Sequence, residues 1–291
     1  MVAALALAAL LPLAGPALSV ELSARALQPG ELVVLTIRAP AGAEAPSVRV
    51  FGRDSAAFPA GPSEWRALVG IDLGVVAGIY RVTVTARTKG VLRRRVTELR
   101  VRPKRFPVRS LEVDESFVNP PREAEARIAS EAAELRRIFA QARAERLWTD
   151  AFLAPVPETA NSRFGSRSIF NGRPRSPHSG ADYPSPAGAP VRAPNAGRVV
   201  LARALYFSGN TVLIDHGLGL FSLLAHLDSM DVGEGQEVAR GALIGRVGAT
   251  GRVTGPHLHW AIRLGGARVD PVSVLALLGE NPPASRPGGL P

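Results

Sequence analysis

His257-Leu-His-Trp-Ala-Ile-Arg-Leu264 alternates polar or small residues with large apolar ones over eight positions. In a β-strand successive side chains point to opposite faces, so His257, His259, Ala261 and Arg263 share one face and Leu258, Trp260, Ile262 and Leu264 the other. The apolar face supplies a reason to be buried. The other face carries two imidazoles that packing does not require, and it is therefore read as the wall of a cleft.

Working outward, the remaining histidines fall in the same C-terminal part of the chain, at 178, 216 and 226. From Phe152 to about Leu278 short apolar bursts alternate with glycine-rich turns, which predicts an antiparallel β domain over 151–278. Within it three short segments stand out: His178-Ser-Gly-Ala-Asp182, Leu224-Ala-His226-Leu, and Gly255-Pro-His257-Leu-His259-Trp. The chain has no cysteine, so thiolate sites and disulfides are excluded and any metal must be held by imidazole and carboxylate. A hydrolytic zinc site takes three such ligands and leaves a position open for water. His178, Asp182 and His259 make a candidate set, and His226 and His257 are left free for proton transfer and oxyanion stabilisation. His216, next to Asp215, invites a serine-triad reading, but no nucleophile-elbow motif accompanies it, and support of a strand end is the expectation.

The N-terminal half is organised differently. Between 20 and 102 short stretches such as ELVVLTIRA, SVRVFG, EWRALVGI, IYRVTVTART and RRRVTELRVR alternate in polarity and are separated by Pro and Gly. They predict a small immunoglobulin-like β-sandwich. A proline-bearing connector follows, and then PREAEARIASEAAELRRIFAQARAERLW, rich in Ala, Glu and Arg, is read as a helix. Asn119 is its expected cap, and Ile128, Leu135, Phe139 and Ala142 form its apolar face. Residues 103–150 thus form a linker with a helix just before the β domain, which leaves open whether it or the N-terminal module covers the cleft. Residues 279–291 read as a disordered tail.

Composition sets the outer bounds. The 291 residues suit about two domains, and 46% hydrophobic residues with 5% aromatic imply cores packed mainly by aliphatic side chains. The formal charge of +10 is carried by arginine, with Lys89 and Lys104 the only lysines. Such a surface favours polyanions, yet no nucleic-acid module motif is present, and no nucleic-acid partner is expected. Residues 1–19, an apolar run interrupted by Pro12, Gly15 and Pro16, read as a signal peptide cleaved before Val20, with a retained anchor as the alternative. Periplasmic or secreted localisation follows, with no stable membrane span after cleavage.

Taken in order, SRFGSR, HSGADY, APNAGRVV, GNTVLIDHG, LAHL, VGEGQEVARGALIGRVGATG and TGPHLHW resemble the lysostaphin-type (LytM-type) zinc metallopeptidases, over about Asn161 to Val272. That resemblance implies one Zn2+ ion held by His178, Asp182 and His259, with His226 and His257 as catalytic histidines. It implies peptidoglycan peptide stems as substrate and hydrolysis of peptide cross-links as activity. Two positions depart from the family pattern: Leu224 stands where tyrosine is common, and Ala261 where glutamate often follows. The hairpin VGEGQEVARGALIGRVG also resembles biotinyl carriers, but no lysine follows Lys104 to be acylated. The rival function is a non-catalytic wall-binding or amidase-activating scaffold, and a regulatory envelope partner is left unspecified.

Overall fold

The structure, a computed structural model, describes residues 17–112, 119–141, 143–161 and 164–280. It is mainly β, as the sequence implies, and its sheets are antiparallel except where β8 meets β9. The expected leader up to residue 16, the tail beyond 280 and Ala142 lie outside the described residues.

Seven strands build the N-terminal unit: β1 (Ser19–Ala24), β2 (Leu32–Arg38), β3 (Ser47–Val50), β4 (Arg53–Gly61), β5 (Glu64–Gly70), β6 (Gly78–Thr88) and β7 (Val91–Val101). They run in the order β1-β2-β5-β4-β3-β6-β7, with β4 shared between the two halves. Alternate residues of both halves, among them Val33, Leu35, Ile37, Val48, Val69, Val84 and Leu99, fill one core. This arrangement fits the expected sandwich.

The other faces of β2, β4 and β5 look toward the C-terminal sheet. Leu32, Val34, Phe58 and Leu68 belong to the same apolar cluster as Trp148, Val269 and Val274. Polar ties run along the seam: Leu32 N–H donates to Ser273 Oγ at 2.9 Å, and Asp270 N–H to the Gly30 carbonyl at 2.8 Å. The Arg25 guanidinium bridges Glu31 and Asp270 at 2.9 and 2.7 Å, and Arg268 pairs with Asp72 at 2.6 Å.

The C-terminal sheet has the order β11 (Gly180–Tyr183), β18 (Leu258–Leu264), β15 (Leu220–Met230), β14 (Gly209–Gly217), β13 (Gly197–Leu205), β16 (Glu237–Val238). Three further strands join it: β12 (Pro190–Arg192) pairs with β17 (Leu243–Val247), β17 with β15, and β19 (Ala267–Val269) with β18. Leu258, Trp260 and Ile262 are fully buried, as their alternation requires. The connector contributes β8 (Val108–Leu111), which with β9 (Arg167–Phe170) and β10 (Arg173–Pro174) forms a small sheet.

Three local expectations are corrected. The helix, α1 (Arg122–Ala140), stops well before Trp148. Residues after 142 run past the C-terminal end of β14 instead, where Leu218 N–H bonds the Arg143 carbonyl and Leu147 N–H that of His216. Burying Trp148 against Phe58 and Phe152 outweighs the helix propensity of this stretch. Pro121 occupies the N-cap of α1 without a side-chain bond, and Asn119 Oδ1 instead accepts from Arg173 at 2.7 Å. Finally, the chain beyond β19 is helical rather than extended: α2 (Pro271–Leu278) starts with Asp270 as cap, its carboxylate accepting from Val272 N–H at 3.0 Å, and Pro271 at its first position.

Candidate metal centre

On β18, His259 lies opposite Asp182 of β11 on one side and Ala225 of β15 on the other. His178 enters from the segment before β11 and is fixed by two backbone bonds, its N–H to the Ser166 carbonyl and the Gly165 N–H to its own carbonyl. These elements bring His178 Nε2, Asp182 Oδ1 and His259 Nδ1 together, with separations of 3.0, 2.9 and 3.1 Å. Tetrahedral ligands at about 2.1 Å from a zinc ion stand roughly 3.4 Å apart, so this donor set fits one ion within about half an ångström. Burial alone would raise the Asp182 carboxyl, but hydrogen bonds from His178 and His259 overcome it and hold it well below the usual carboxylate range.

Space for the cluster depends on Gly180. A Cβ there would stand 2.6 Å from His259 Nε2 and 2.5 Å from the Trp260 carbonyl oxygen. The glycine of His-Ser-Gly-Ala-Asp is thus required by the close approach of β11 to β18.

Alternation along β15 would place Ala225 on the cleft face with His259, and His226 toward the core. The ring of His226 nevertheless lies 4.9 Å from that of His257 and 5.9 Å from that of His259. A left-handed backbone at His226, φ 64°, within an irregular stretch of β15, turns the side chain into the cleft. Its Nδ1 faces the Thr250 carbonyl at 2.9 Å, which only accepts, so Nδ1 carries the proton and Nε2 presents its lone pair. Burial, with the charges of His259 and His257, pushes the His226 pKa down to about 4. His257, just before β18, is held the same way by the Gly255 carbonyl at 2.9 Å.

Thr250 was not signalled by the sequence motifs. Its hydroxyl donates to the Leu227 carbonyl at 2.7 Å and accepts from Asn210 N–H at 2.9 Å, which fixes the carbonyl that orients His226. The signal available was the turn Gly248-Ala-Thr-Gly251, whose glycines both lack room for a Cβ, Gly248 against Asp228 and Gly251 against Gly209.

His216 takes no part in this cluster. It is fully buried, with Nδ1 on the Ala196 carbonyl at 2.7 Å and Nε2 on Ser222 Oγ at 2.9 Å, and burial lowers its pKa to about 4. Asp215 instead accepts from Gly217 N–H and pairs with Arg143. Of the two departures from the family pattern, Leu224 is buried opposite Trp260, while Ala261 lines the cleft.

The cleft is a groove of about 520 Å³. Ser176, Pro177 and Phe207 are among its walls near the histidines, and Leu135 and Phe139 of α1 reach it from the connector.

The fold and the cluster define a β-sheet protein with a His–Asp–His group able to hold a metal ion, set in an open groove. Residues 176–271 match the model of peptidase family M23. A crystal structure of a Pseudomonas aeruginosa chain assigned to peptidase M23 superposes with a TM-score of 0.68 at 32% identity, covering 86% of this chain and 95% of that one. The chain belongs to peptidase family M23. Over 97 residues it is 46% identical to the DD-carboxypeptidase/endopeptidase Mpg of Neisseria meningitidis serogroup B, spanning 33% of this chain and 22% of that protein. Over 94 residues it is 44% identical to the peptidoglycan DD-endopeptidase ShyA of Vibrio cholerae, spanning 32% of this chain and 22% of that protein. The chain therefore matches only about a fifth of the length of these curated relatives.

Proposed function

We propose that this chain is a zinc metalloendopeptidase that hydrolyses peptide cross-links of peptidoglycan in the cell envelope. The observation that carries the reading is the convergence of His178 Nε2, Asp182 Oδ1 and His259 Nδ1 beside two further imidazoles whose Nδ1 atoms are held by backbone carbonyls. A set of three ligands with neighbouring bases is what a hydrolytic metal site needs, and structure alone gives it no other purpose. The names of the curated relatives support the substrate.

In this reading His178, Asp182 and His259 hold one Zn2+ ion. Bound there, zinc supplies Lewis acidity to the scissile carbonyl and makes an attacking water more acidic. His226 and His257 present the Nε2 lone pair to the groove, placed to accept the proton of the water, and an imidazole that has taken that proton can donate it from Nε2 to the oxygen on which charge develops. Asp182, held well below the usual carboxylate range, would supply its ionised Oδ1 as the anionic ligand beside the two imidazoles. Thr250 and Gly255 keep the two bases in one tautomer.

The same proposal includes an exported chain with a signal peptide over 1–19 and the immunoglobulin-like unit of 20–102 as a docking or wall-facing module. Residues 103–150 are the connector, 151–278 the peptidase domain and 279–291 a tail. Among the described residues no helix is long and apolar enough to cross a membrane.

Separating ligands from bases tests the reading. Asp182→Ala and His259→Ala are expected to lose both bound zinc and cleavage of purified muropeptides. His226→Ala and His257→Ala are expected to keep zinc and lose roughly 100-fold or more in rate. A parent protein that binds no zinc would turn the argument to the wall-binding or amidase-activating scaffold, and a zinc-loaded His226→Ala variant cutting at the parental rate would remove that residue from the mechanism.

A further inference from the structure

We infer that Arg263 forms a subsite for a carboxylate of the bound peptide, at the end of the groove remote from the bases; this rests on the endopeptidase reading above. Registers across β15 and β18 pair His259 with Ala225, Ala261 with Leu223 and Arg263 with Phe221, so Arg263 points to the same face as His259. Four residues of strand separate them, about 13 Å.

At that distance the sheet face is covered by α1. Phe139 packs edge-on against Phe221 at 5.5 Å, and the Arg263 guanidinium lies 5.5 Å from the centre of the Phe139 ring. Leu135, Phe139, Leu223 and Ala261 line the same groove as Arg263 and make its wall there largely apolar. Its Nη1 is buried and has no hydrogen-bond partner among the described residues. Arg268 and Asp72 are the charged groups whose fields reach it, and they are bonded to one another.

Arg263 is half-buried with its Nη1 fully enclosed, and a cation so placed is costly without an anion bonded to it; among the described residues no carboxylate bonds it. Among the described groove-lining residues Asp182 is the single acid, and it is occupied by His178 and His259. Burial lowers the Arg263 pKa only to about 10, so the guanidinium is charged at neutral pH. Its planar fork matches a carboxylate with two parallel N–H···O bonds, and the surrounding apolar wall strengthens such a pair by excluding water. A peptide lying along β18 with its scissile carbonyl at the histidine cluster would bring a group three to four residues' length away onto Arg263. The ligand is then a free carboxylate on a stem peptide rather than a backbone amide. Arg263 acts as a specificity determinant, binding substrate without taking part in bond cleavage.

The test uses the zinc-loaded full chain and a synthetic cross-linked stem-peptide dimer, intact or with its free carboxyls converted one at a time to primary amides. For the parent, amidation of one particular carboxyl is expected to lower kcat/KM by roughly 10- to 100-fold, the range for losing a charged hydrogen-bonded partner. Arg263→Gln is expected to cut the intact dimer as slowly as the parent cuts that amide, to be indifferent to the same amidation, and to keep its zinc. Arg263→Lys should recover part of the discrimination. A parent that cuts every amide as fast as the intact dimer overturns the subsite and leaves the endopeptidase reading standing. An Arg263→Gln variant that discriminates as the parent does has the same meaning. A zinc-loaded parent that cuts no dimer at all overturns the endopeptidase reading and the subsite with it.

Discussion

Replacing Gly180 with alanine adds one methyl group at the tightest contact of the metal centre, and its effect follows from three distances. The new Cβ would stand 2.5 Å from the Trp260 carbonyl oxygen and 2.6 Å from both Cε1 and Nε2 of His259. Neither neighbour is a flexible chain end: one is strand backbone, the other an imidazole fixed by Asp182. Ordinary contact near 3.4 Å requires β11 and β18 to separate by roughly 0.9 Å, and Asp182 and His259, which face each other across that pair, move apart with them. Overpacking of this kind costs about 1–3 kcal/mol in stability. Misplacement by about 1 Å in a site of this chemistry costs on the order of 100-fold in rate, and weaker zinc binding accompanies it. Zinc titration, muropeptide cleavage and thermal unfolding would be measured on Gly180→Ala beside Gly233→Ala, a position with nothing within 4 Å of an added Cβ. A folded Gly180→Ala protein with parental zinc affinity and parental rate would refute the claim that strand spacing sets the ligand geometry.

Two further outcomes concern stability. Asp72 pairs with Arg268 across the seam between the two units: burial raises its pKa, but the Arg268 hydrogen bonds prevail and hold it below the usual range. Asp72→Asn is expected to cost about 1–3 kcal/mol at pH 7, and because the stabilising form is the ionised one, the deficit should narrow as pH falls below about 4 in urea titrations; an equal deficit at pH 7 and pH 3 would count against the pair. His216 has the opposite charge logic, since burial keeps it neutral with a pKa of about 4 against about 6.5 unfolded. Its contribution is complete above pH 6.5 and lost as pH falls toward 4, on the order of 3 kcal/mol in all. Chelator-treated His216→Gln should therefore unfold more easily than the parent at pH 7 yet show a shallower loss between pH 6.5 and 4, and parallel curves would dismiss the assignment.

What was legible in the sequence is what local periodicity controls. The strand at 257–264 announced its two faces because every second residue is large and apolar, and Asp182 and His259 face each other on paired strands while His178 joins them from the segment just before β11. His226 was legible as a residue but not as a direction: period-two alternation puts it in the core, and the left-handed backbone that reverses it depends on contacts with Thr250 and Ser208, distant in sequence. Helix propensity carried α1 too far because the burial that stops it involves Phe58, some ninety residues earlier. The start of α2 was local after all, in Asp270-Pro271, and was masked by the apolar run that follows. Nothing in the spacing of Arg263 revealed that Phe139 would close over it.

The seam between the two β units has a consequence for ancestry. Leu32, Val34, Phe58 and Leu68 complete the C-terminal core, and Leu32 N–H and the Gly30 carbonyl bond the start of α2. A recombination event that replaced residues 20–102 with another module would expose this apolar surface and leave Ser273 and Asp270 without those partners, unless the incoming edge reproduced the same pattern. Such a chain is expected to diversify by paired substitution along the seam, with both halves inherited together, rather than by exchange of its N-terminal half as a separable cassette.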